Sequence, residues 1–484
     1  MKLTFLVPPC YDNKFPAERS AGCTRVVYPM INIYELTAAA TARDIAGWEV
    51  AFEDFVFSPG RSAEFDFFLA SDNSDAYAIW TVNLSLESDI EAIGHIRATH
   101  PDTPVILLGP GATHYIRKAL VDRNVYVVRG EPELTLVELL DNLAGKPDAI
   151  PTDEIRGLSY IGENGEVRNN PSRPLNTDLD ALPFPARDLL GSHVYHNPKL
   201  KTGPYTTMFT SRNCPFRCIY CVPSSLTFAR EIEFGRDHPG RKPTIGFRSI
   251  ESVEKELDQL ASEGYKAIGF MDDNFIWNEE RTAEICRIMR KHGMVWGCQA
   301  RVDAITEPIA KMLGESGCRY VDLGIESFDP AILEYIRKGI TPEDIYRAVG
   351  LLKKYGVPVK LNVLIGSSPL ETRETVRHTL REAKRLKVDQ VMFNIVSPFP
   401  GTDYYKVCKE NGWIKGGEYR PTDVQHDSIL NLPNISADEM ERLLFRNNLS
   451  YFLSPSFVLK QVRRFSSWSE FKAAFKALRI KLFH

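Results

Sequence analysis

Short apolar runs alternate with amphipathic stretches of helical spacing over the first 145 residues. The apolar runs predict buried strands at 3–9, 76–82, 104–109 and 125–130, and the stretches between and after them predict helices at 31–48, 88–100 and 133–143. Strands that alternate with helices are typical of a parallel, doubly wound α/β sheet. Ligands of such sheets bind at the carboxyl ends of the strands.

The pattern breaks between residues 146 and 200, where seven prolines and no clear period predict a linker. Alternation then returns, and it predicts six strands, each but the last followed by helix before the next, at 205–211, 267–273, 295–301, 318–327, 359–366 and 391–398. Six such units predict a partial (β/α)6 barrel over residues 201–405, with function at the carboxyl ends of its strands. Residues 406–484 predict a mostly helical C-terminal region.

Composition narrows the class of protein. A chain of 484 residues predicts two or three domains, and its net charge of -4 argues against extensive binding to nucleic acid. It contains no run of eighteen apolar residues and no signal-peptide pattern, so we expect a cytoplasmic protein. Nine scattered cysteines, an odd number, argue against a disulfide framework.

Three cysteines, Cys214, Cys218 and Cys221, fall within eight residues directly after the first predicted barrel strand. Thiolates at these spacings can converge on one metal centre from an irregular loop, and iron–sulfur clusters are held by cysteine thiolates. Only three ligands leave one iron open, as a catalytic metal requires. A zinc site completed by a distant His or Cys, in a non-catalytic scaffold, is the alternative, although no second CxxC pair is present.

The CxxxCxxC motif, with Tyr220 before its last cysteine, resembles the radical S-adenosylmethionine (SAM) superfamily over residues 205–405. The resemblance implies a [4Fe-4S] cluster whose open iron binds SAM, and an electron donor such as flavodoxin or ferredoxin. It implies cleavage of SAM to a 5′-deoxyadenosyl radical. The implied SAM-binding residues are Asp272 and Asp273 in FMDDNF, Arg301 in QARVD and Glu326 in GIES.

These residues also have structural interpretations. Asp272 and Asp273 could be helix N-caps, and Arg301 and Glu326 could form a buried ion pair with each other. The segment at 364–372 resembles the part of the family's site that lies beside the adenine.

The N-terminal region resembles the Rossmann-like cobalamin-binding domain found before some radical SAM barrels. The resemblance rests on a Pro-Pro pair after the first strand, on GPGATH and on RGEPELTL, and it implies cobalamin-binding residues at Thr81, Gly109, Gly111, Gly130 and Glu131. The family's Asp-x-His-x-x-Gly motif is missing, which implies cobalt without a histidine ligand from the protein.

With cobalamin, the resemblance implies methylation of an unactivated carbon, or ring formation as in anaerobic tetrapyrrole cyclases. The glycine-rich segments could instead be ordinary turns, which would leave an N-terminal domain that only recognises substrate.

The last residues, 457–484, contain seven Lys or Arg and one acid, Glu470. Phe471, Phe475, Leu478 and Leu482 recur at helical spacing. A basic amphipathic helix of this kind suits an anionic membrane surface. It predicts a peripheral membrane contact near a lipid-like substrate, with packing against the barrel as the alternative.

Overall fold

The computed structural model describes residues 1–11, 16–25, 30–56, 62–191, 195, 197, 199–420, 422 and 424–454. The chain divides into two compact units. The first unit comprises Met1–Pro215, Val222–Phe275 and Lys291–Trp296, and the second comprises Phe216–Cys221, Ile276–Arg290 and the described residues from Gly297 onward. The predicted basic C-terminal helix lies outside the described residues.

Strands and helices alternate along most of the chain. The strands are β1 Lys2–Val7, β2 Glu49–Asp54, β3 Ala76–Trp80, β4 Val105–Leu108, β5 Val125–Val128, β6 Leu158–Ile161, β7 Val167–Asn169, β8 Tyr205–Met208, β9 Ser211–Arg212, β10 Gly246–Phe247, β11 Ala267–Phe270, β12 Val295–Ala300, β13 Cys318–Glu326, β14 Val359–Ile365 and β15 Gln390–Ile395. The α-helices are α1 Ile33–Asp44, α2 Ser62–Ser71, α3 Leu86–Thr99, α4 Gly109–His114, α5 Ile116–Ala119, α6 Glu133–Leu143, α7 Ser225–Asp237, α8 Ile250–Ser262, α9 Glu279–His292, α10 Glu307–Glu315, α11 Pro330–Tyr335, α12 Pro342–Lys354, α13 Arg373–Arg385, α14 Asp403–Glu410 and α15 Ala437–Phe452. Two 3₁₀ turns span Arg187–Leu190 and Val302–Ala304.

The N-terminal sheet has the strand order β2-β1-β3-β4-β5-β6-β7. Strands β1 to β5 pair in parallel, as the doubly wound prediction requires, whereas β6 and β7 join antiparallel at one edge. Their residues lie in the predicted linker, which therefore completes the sheet. From β1 the chain continues to β2 on one side of it, and from β2 it crosses to β3 on the other side. The crevice between β1 and β3 is therefore the topological switch point.

Three elements of the N-terminal region differ from prediction. The predicted helix 31–48 is shorter, because the helix ends at Asp44 and Gly47 adopts a left-handed φ of 76°. GPGATH, predicted as a loop, forms the short helix α4 with Pro110 in its first turn. Proline is tolerated there because the N–H groups of the first turn have no partner within the helix. Strand β2 was not predicted, because its sequence EVAFED places three acids in six residues.

The second sheet has the order β15-β14-β13-β12-β11-β8, and all six predicted barrel strands are present. The pairs β8–β11, β13–β14 and β14–β15 are parallel. Helices α8, α10, α12 and α13 begin at hydroxyl caps that accept backbone N–H bonds, which fixes where each of them starts; the caps are Ser249, Thr306, Thr341 and Thr372. Within the described part of the chain, no helix combines the length and apolar character needed to cross a bilayer.

Candidate active site

The three predicted cluster ligands lie on the irregular segment that follows β9. Cys214, Cys218 and Cys221 are each half-buried, and none of the nine cysteines forms a disulfide. The Cys221 N–H donates to the Cys218 carbonyl at 3.2 Å, which makes a tight turn between these two residues. Among the described residues, no three His, Cys, Asp or Glu side chains converge as ligands of one metal ion. A four-iron cluster has no such requirement, because each thiolate binds its own iron.

In the second unit, Lys338 connects two of the predicted SAM-binding residues. Its ammonium group donates to Glu326 Oε1 at 2.8 Å, and its carbonyl accepts from Arg301 Nη2 at 2.7 Å. The ammonium group also lies 3.4 Å from the Tyr220 hydroxyl. Burial opposes the charged form of Lys338, but Glu326 and then Cys218 outweigh it and raise its pKa above the usual value. Lys338 is therefore a buried, charged residue beside the cysteine segment.

Glu326 ends β13 in a strained conformation. Its φ is 61°, in the left-handed region that a side chain such as Glu rarely adopts, and the pairing of β13 with β14 shifts register between Gly324 and Glu326. A Cβ on Gly324 would stand 2.6 Å from Glu326 Oε1 and 2.9 Å from Lys338 Nζ, so glycine makes room for the ion pair. Strain of this kind is concentrated at functional sites.

Arg301 contacts the cysteine segment from the end of β12. Its guanidinium lies 3.6 Å from the centroid of the Phe216 ring, and it also pairs with Asp303 at 2.9 Å. The predicted alternative of an Arg301–Glu326 ion pair is wrong, because Glu326 pairs with Lys338 and Arg301 with Asp303. The structure nevertheless brings both residues to Lys338, which sequence reasoning missed.

In the first unit, the two predicted aspartates after β11 hold neighbouring loops. Asp272 is fully buried and accepts the Thr210 N–H, the Thr210 hydroxyl and the Ser211 hydroxyl, at 2.5 to 3.1 Å. Asp273 accepts the Ser224 N–H at 2.6 Å and the Thr227 hydroxyl at 2.5 Å, at the start of α7. The helix that follows in sequence, α9, begins only at Glu279, so neither aspartate is its N-cap and that interpretation is wrong. Asp273 is only half-buried and is the more accessible of the two.

The predicted cobalamin residues surround the carboxyl ends of β3, β4 and β5. A Cβ on Gly109 would stand 2.7 Å from the Thr81 carbonyl oxygen, and one on Gly111 2.7 Å from that of Val82. Gly130 has a φ of 69°, and its N–H donates to the Thr113 hydroxyl. The chain's own backbone thus approaches both Gly109 and Gly111 closely, which favours the turn interpretation of these glycines.

Two polar side chains at this edge behave differently. Within the described residues, the fully buried Thr81 hydroxyl has no hydrogen-bond partner. The Glu131 carboxylate, in contrast, pairs with Arg212 at 2.8 Å and Arg230 at 3.1 Å and accepts the Asn176 N–H at 2.7 Å. The orphaned Thr81 hydroxyl is the feature here that fits an added polar ligand.

The segment that resembles the adenine side of the family's site forms a compact turn. Glu371 is buried and accepts the N–H groups of Gly366 and Ser367 at 2.7 Å each, and the Ser367 hydroxyl at 2.9 Å. Burial outweighs these bonds and raises its pKa to about 7. Glu371 therefore fixes the turn that follows β14.

Sequence reasoning missed the residues that hold the predicted ligands in place. Lys338 follows α11 in a stretch with no motif, so the sequence carries no signal for it. Asn213, directly before Cys214, has a φ of 78°. Asparagine is the non-glycine residue that enters this region readily, so an Asn beside the first ligand was a usable signal.

Comparisons with known proteins agree with this geometry. The profile of the radical SAM superfamily matches residues 208–383. An uncharacterized methyltransferase of Pyrococcus horikoshii is 37% identical over 339 residues, which are 69% of each chain. The anaerobic magnesium-protoporphyrin IX monomethyl ester cyclase of Rubrivivax gelatinosus is 25% identical over 319 residues, 64% of this chain and 54% of the cyclase.

A solved structure extends the similarity in fold to the whole chain. The cobalamin-dependent S-adenosylmethionine radical enzyme OxsB, with aqua-cobalamin and S-adenosylmethionine bound, aligns over 100% of this chain and 72% of its own. The TM-score is 0.71 and the sequence identity is 16%. The two proteins therefore share a fold that joins a doubly wound domain to a partial barrel.

Proposed function

This chain belongs to the radical SAM superfamily, and from that premise we propose that it is a cobalamin-dependent methyltransferase acting on an unactivated carbon of a small or lipid-like molecule. The observation that carries the proposal is the group formed by Arg301, Lys338 and Glu326 beside residues 216–221. It places a cation, a strained carboxylate and a guanidinium next to two of the three cysteines.

Cys214, Cys218 and Cys221 would hold the [4Fe-4S] cluster of this family, which when bound supplies the electron that cleaves SAM. The thiols fit this role, because all three are partly exposed and none is in a disulfide. For SAM, Asp273 would accept from the amino group, whereas Arg301 would pair with the carboxylate and Glu326 would accept from the ribose. Lys338 pairs with Glu326 and orients it, and Asp272 holds the loop beside Asp273.

Cobalamin, which when bound accepts and transfers a methyl group, would lie at the carboxyl edge of the N-terminal sheet. The unpartnered Thr81 hydroxyl supports this placement, and the backbone of Gly109, Gly111 and Gly130 would line the site. A second candidate is a radical SAM enzyme whose N-terminal domain only recognises substrate. The ion pairs that occupy the Glu131 carboxylate favour this second candidate.

The similarity to a methyltransferase supports methylation, whereas the similarity to a tetrapyrrole cyclase keeps ring formation as the alternative reaction. A flavodoxin or ferredoxin would supply electrons. We place the enzyme in the cytoplasm without a nucleic-acid partner, with its basic C-terminal residues at the membrane surface.

Anaerobic reconstitution with hydroxocobalamin and SAM tests the proposal. The wild-type protein should retain about one corrinoid, visible in its absorption spectrum, and should form 5′-deoxyadenosine on reduction. The Cys218→Ala variant should keep the corrinoid and lose SAM cleavage, because its cluster lacks a thiolate. Loss of the corrinoid in gel filtration, with SAM cleavage intact, would support the second candidate; SAM cleavage by Cys218→Ala would contradict both.

A further inference from the structure

A continuous set of buried polar contacts in the first unit runs from the loop after β5 to the residue before Cys214. Glu131 Oε1 lies 2.8 Å from Arg212 Nη1 and 3.1 Å from Arg230 Nε. Arg230 Nη1 donates to the Asn213 side-chain oxygen, and Arg212 Nη2 donates to Glu133 at 2.6 Å. Arg212, Asn213 and Arg230 are each 1% exposed. Two buried guanidinium groups are therefore held by carboxylates from the loop after β5 and the start of α6.

The contacts hold a backbone conformation that only a few residue types adopt. Asn213 has a φ of 78° immediately before Cys214, in a region that asparagine enters more readily than other non-glycine residues. Its side-chain oxygen is bound by Arg230, and its N–H donates to the Thr227 hydroxyl at 3.2 Å. A left-handed residue that is tied at both its backbone and its side chain fixes the direction in which the chain enters Cys214.

The same contacts reach Asp273. The Thr227 hydroxyl that accepts from Asn213 donates to Asp273 Oδ2 at 2.5 Å. The loop after β5, the backbone before Cys214 and the Asp273 carboxylate are thus linked through Arg230, Asn213 and Thr227.

We propose that Glu131 is a positioning residue for the cluster segment: through Arg230 and Asn213 it sets the orientation of Cys214. The proposal rests on the proposed function only in assigning Cys214 to the cluster. It gives the carboxylate of the loop after β5 a task in the iron–sulfur site, distinct from contact with a corrin.

The sharpest test uses the protein without metal and measures the alkylation rate of each cysteine by mass spectrometry. Trypsin cleaves after Arg212 and Arg217, so Cys214 is released on one peptide and Cys218 and Cys221 on another. In Glu131→Gln, Cys214 should react about fivefold faster than in the wild type, whereas Cys218 and Cys221 should keep their rates. The matched control is Glu138→Gln on α6, which removes the ion pair of Glu138 with Arg173. It should change none of the three cysteine alkylation rates.

A second pair of variants separates positioning from general destabilisation. Asn213→Gly keeps the left-handed backbone accessible, whereas Asn213→Ala disfavours it. After anaerobic reconstitution, Asn213→Gly should bind more iron and give an electron paramagnetic resonance spectrum closer to wild type than Asn213→Ala does. Equal behaviour of these two variants, or a wild-type Cys214 rate in Glu131→Gln, would overturn the inference. A wild-type chain that binds no iron would overturn the proposed function and the inference together, whereas altered Cys214 reactivity is measured independently of iron.

Discussion

Each of the two sheets has a predicted site carboxylate at or beyond the end of a strand, Glu326 in one and Glu131 in the other, and the two carboxylates differ in their bonding partners. At the end of β13, Glu326 has a strained backbone and pairs with Lys338. Gly324 lies so close to this ion pair that a Cβ there would collide with it. At the end of β5, Glu131 is held by two arginines and a backbone N–H. A carboxylate held by several cations and a backbone donor serves the architecture, whereas a strained carboxylate paired with one cation remains available to a ligand. Motif position alone did not separate these two cases.

The largest expected effect comes from removing the cation at the barrel edge. Lys338→Met leaves Glu326 buried without its partner, which should lower the free energy of unfolding of the second unit by about 3–5 kcal/mol. Urea denaturation measures this loss. The exposed pair Lys311–Glu315 provides the control, and Lys311→Met should cost less than about 1 kcal/mol. If the two variants were equally stable, the Lys338–Glu326 pair would not be a buried ion pair of consequence.

The two units should also respond differently to pH. Burial raises the pKa of Glu35 in the first unit to about 8 and that of Glu371 in the second to about 7, both from 4.5. An acid whose folded pKa is raised is most stabilising below its unfolded pKa, and that contribution falls as pH rises from 4.5 to the folded pKa.

Glu35→Gln should therefore flatten the decline in stability up to pH 8, and Glu371→Gln only up to pH 7. From pH 5 upward, the decline removed should be at most about 4 kcal/mol for Glu35→Gln and about 3 kcal/mol for Glu371→Gln. Urea midpoints measured from pH 5 to pH 8.5 would show this. If the urea midpoints of the wild type and both variants changed with pH in the same way, the raised pKa values of Glu35 and Glu371 would be contradicted.

The smallest effects test whether the N-terminal glycines serve packing or a cofactor. Gly111→Ala places a Cβ 2.7 Å from the backbone of Val82 and should cost about 1–3 kcal/mol in the protein without cofactor. Gly94, inside α3, has open space around it, so Gly94→Ala should stabilise by about 0.5–1 kcal/mol. Thermal unfolding distinguishes the two. If Gly111→Ala were as stable as the wild type but did not bind corrinoid, Gly111 would serve cofactor binding and not packing.

The sequence predicted the repeating units of both sheets, because buried parallel strands are apolar runs with helices between them. It failed where the signal was tertiary. Strands β6 and β7 lie at one sheet edge, and the proline-rich stretch around them resembles a linker. Helix α7 was missed because its buried face includes Arg230 and Glu233, which read as polar and are buried only through ion pairs.

The candidate site likewise contains residues that the sequence reveals and residues that only the fold reveals. The cysteines and the residues at strand ends are visible in the sequence, since spacing and strand position are local properties. The partners Lys338, Arg212 and Arg230 are not, because a buried charge is identified only by the opposite charge that the fold brings to it. The alternative of an ion pair between Arg301 and Glu326 failed for this reason, because the fold supplied Lys338 as the partner of Glu326.

The central claim is an iron–sulfur cluster with one iron open to SAM, and electron paramagnetic resonance of the anaerobically reconstituted, reduced protein tests it most directly. We predict about four irons and four sulfides per chain, and a reduced-cluster signal whose g values shift when SAM is added. A colourless protein without sulfide after reconstitution, or a cluster signal that SAM leaves unchanged, would contradict the account.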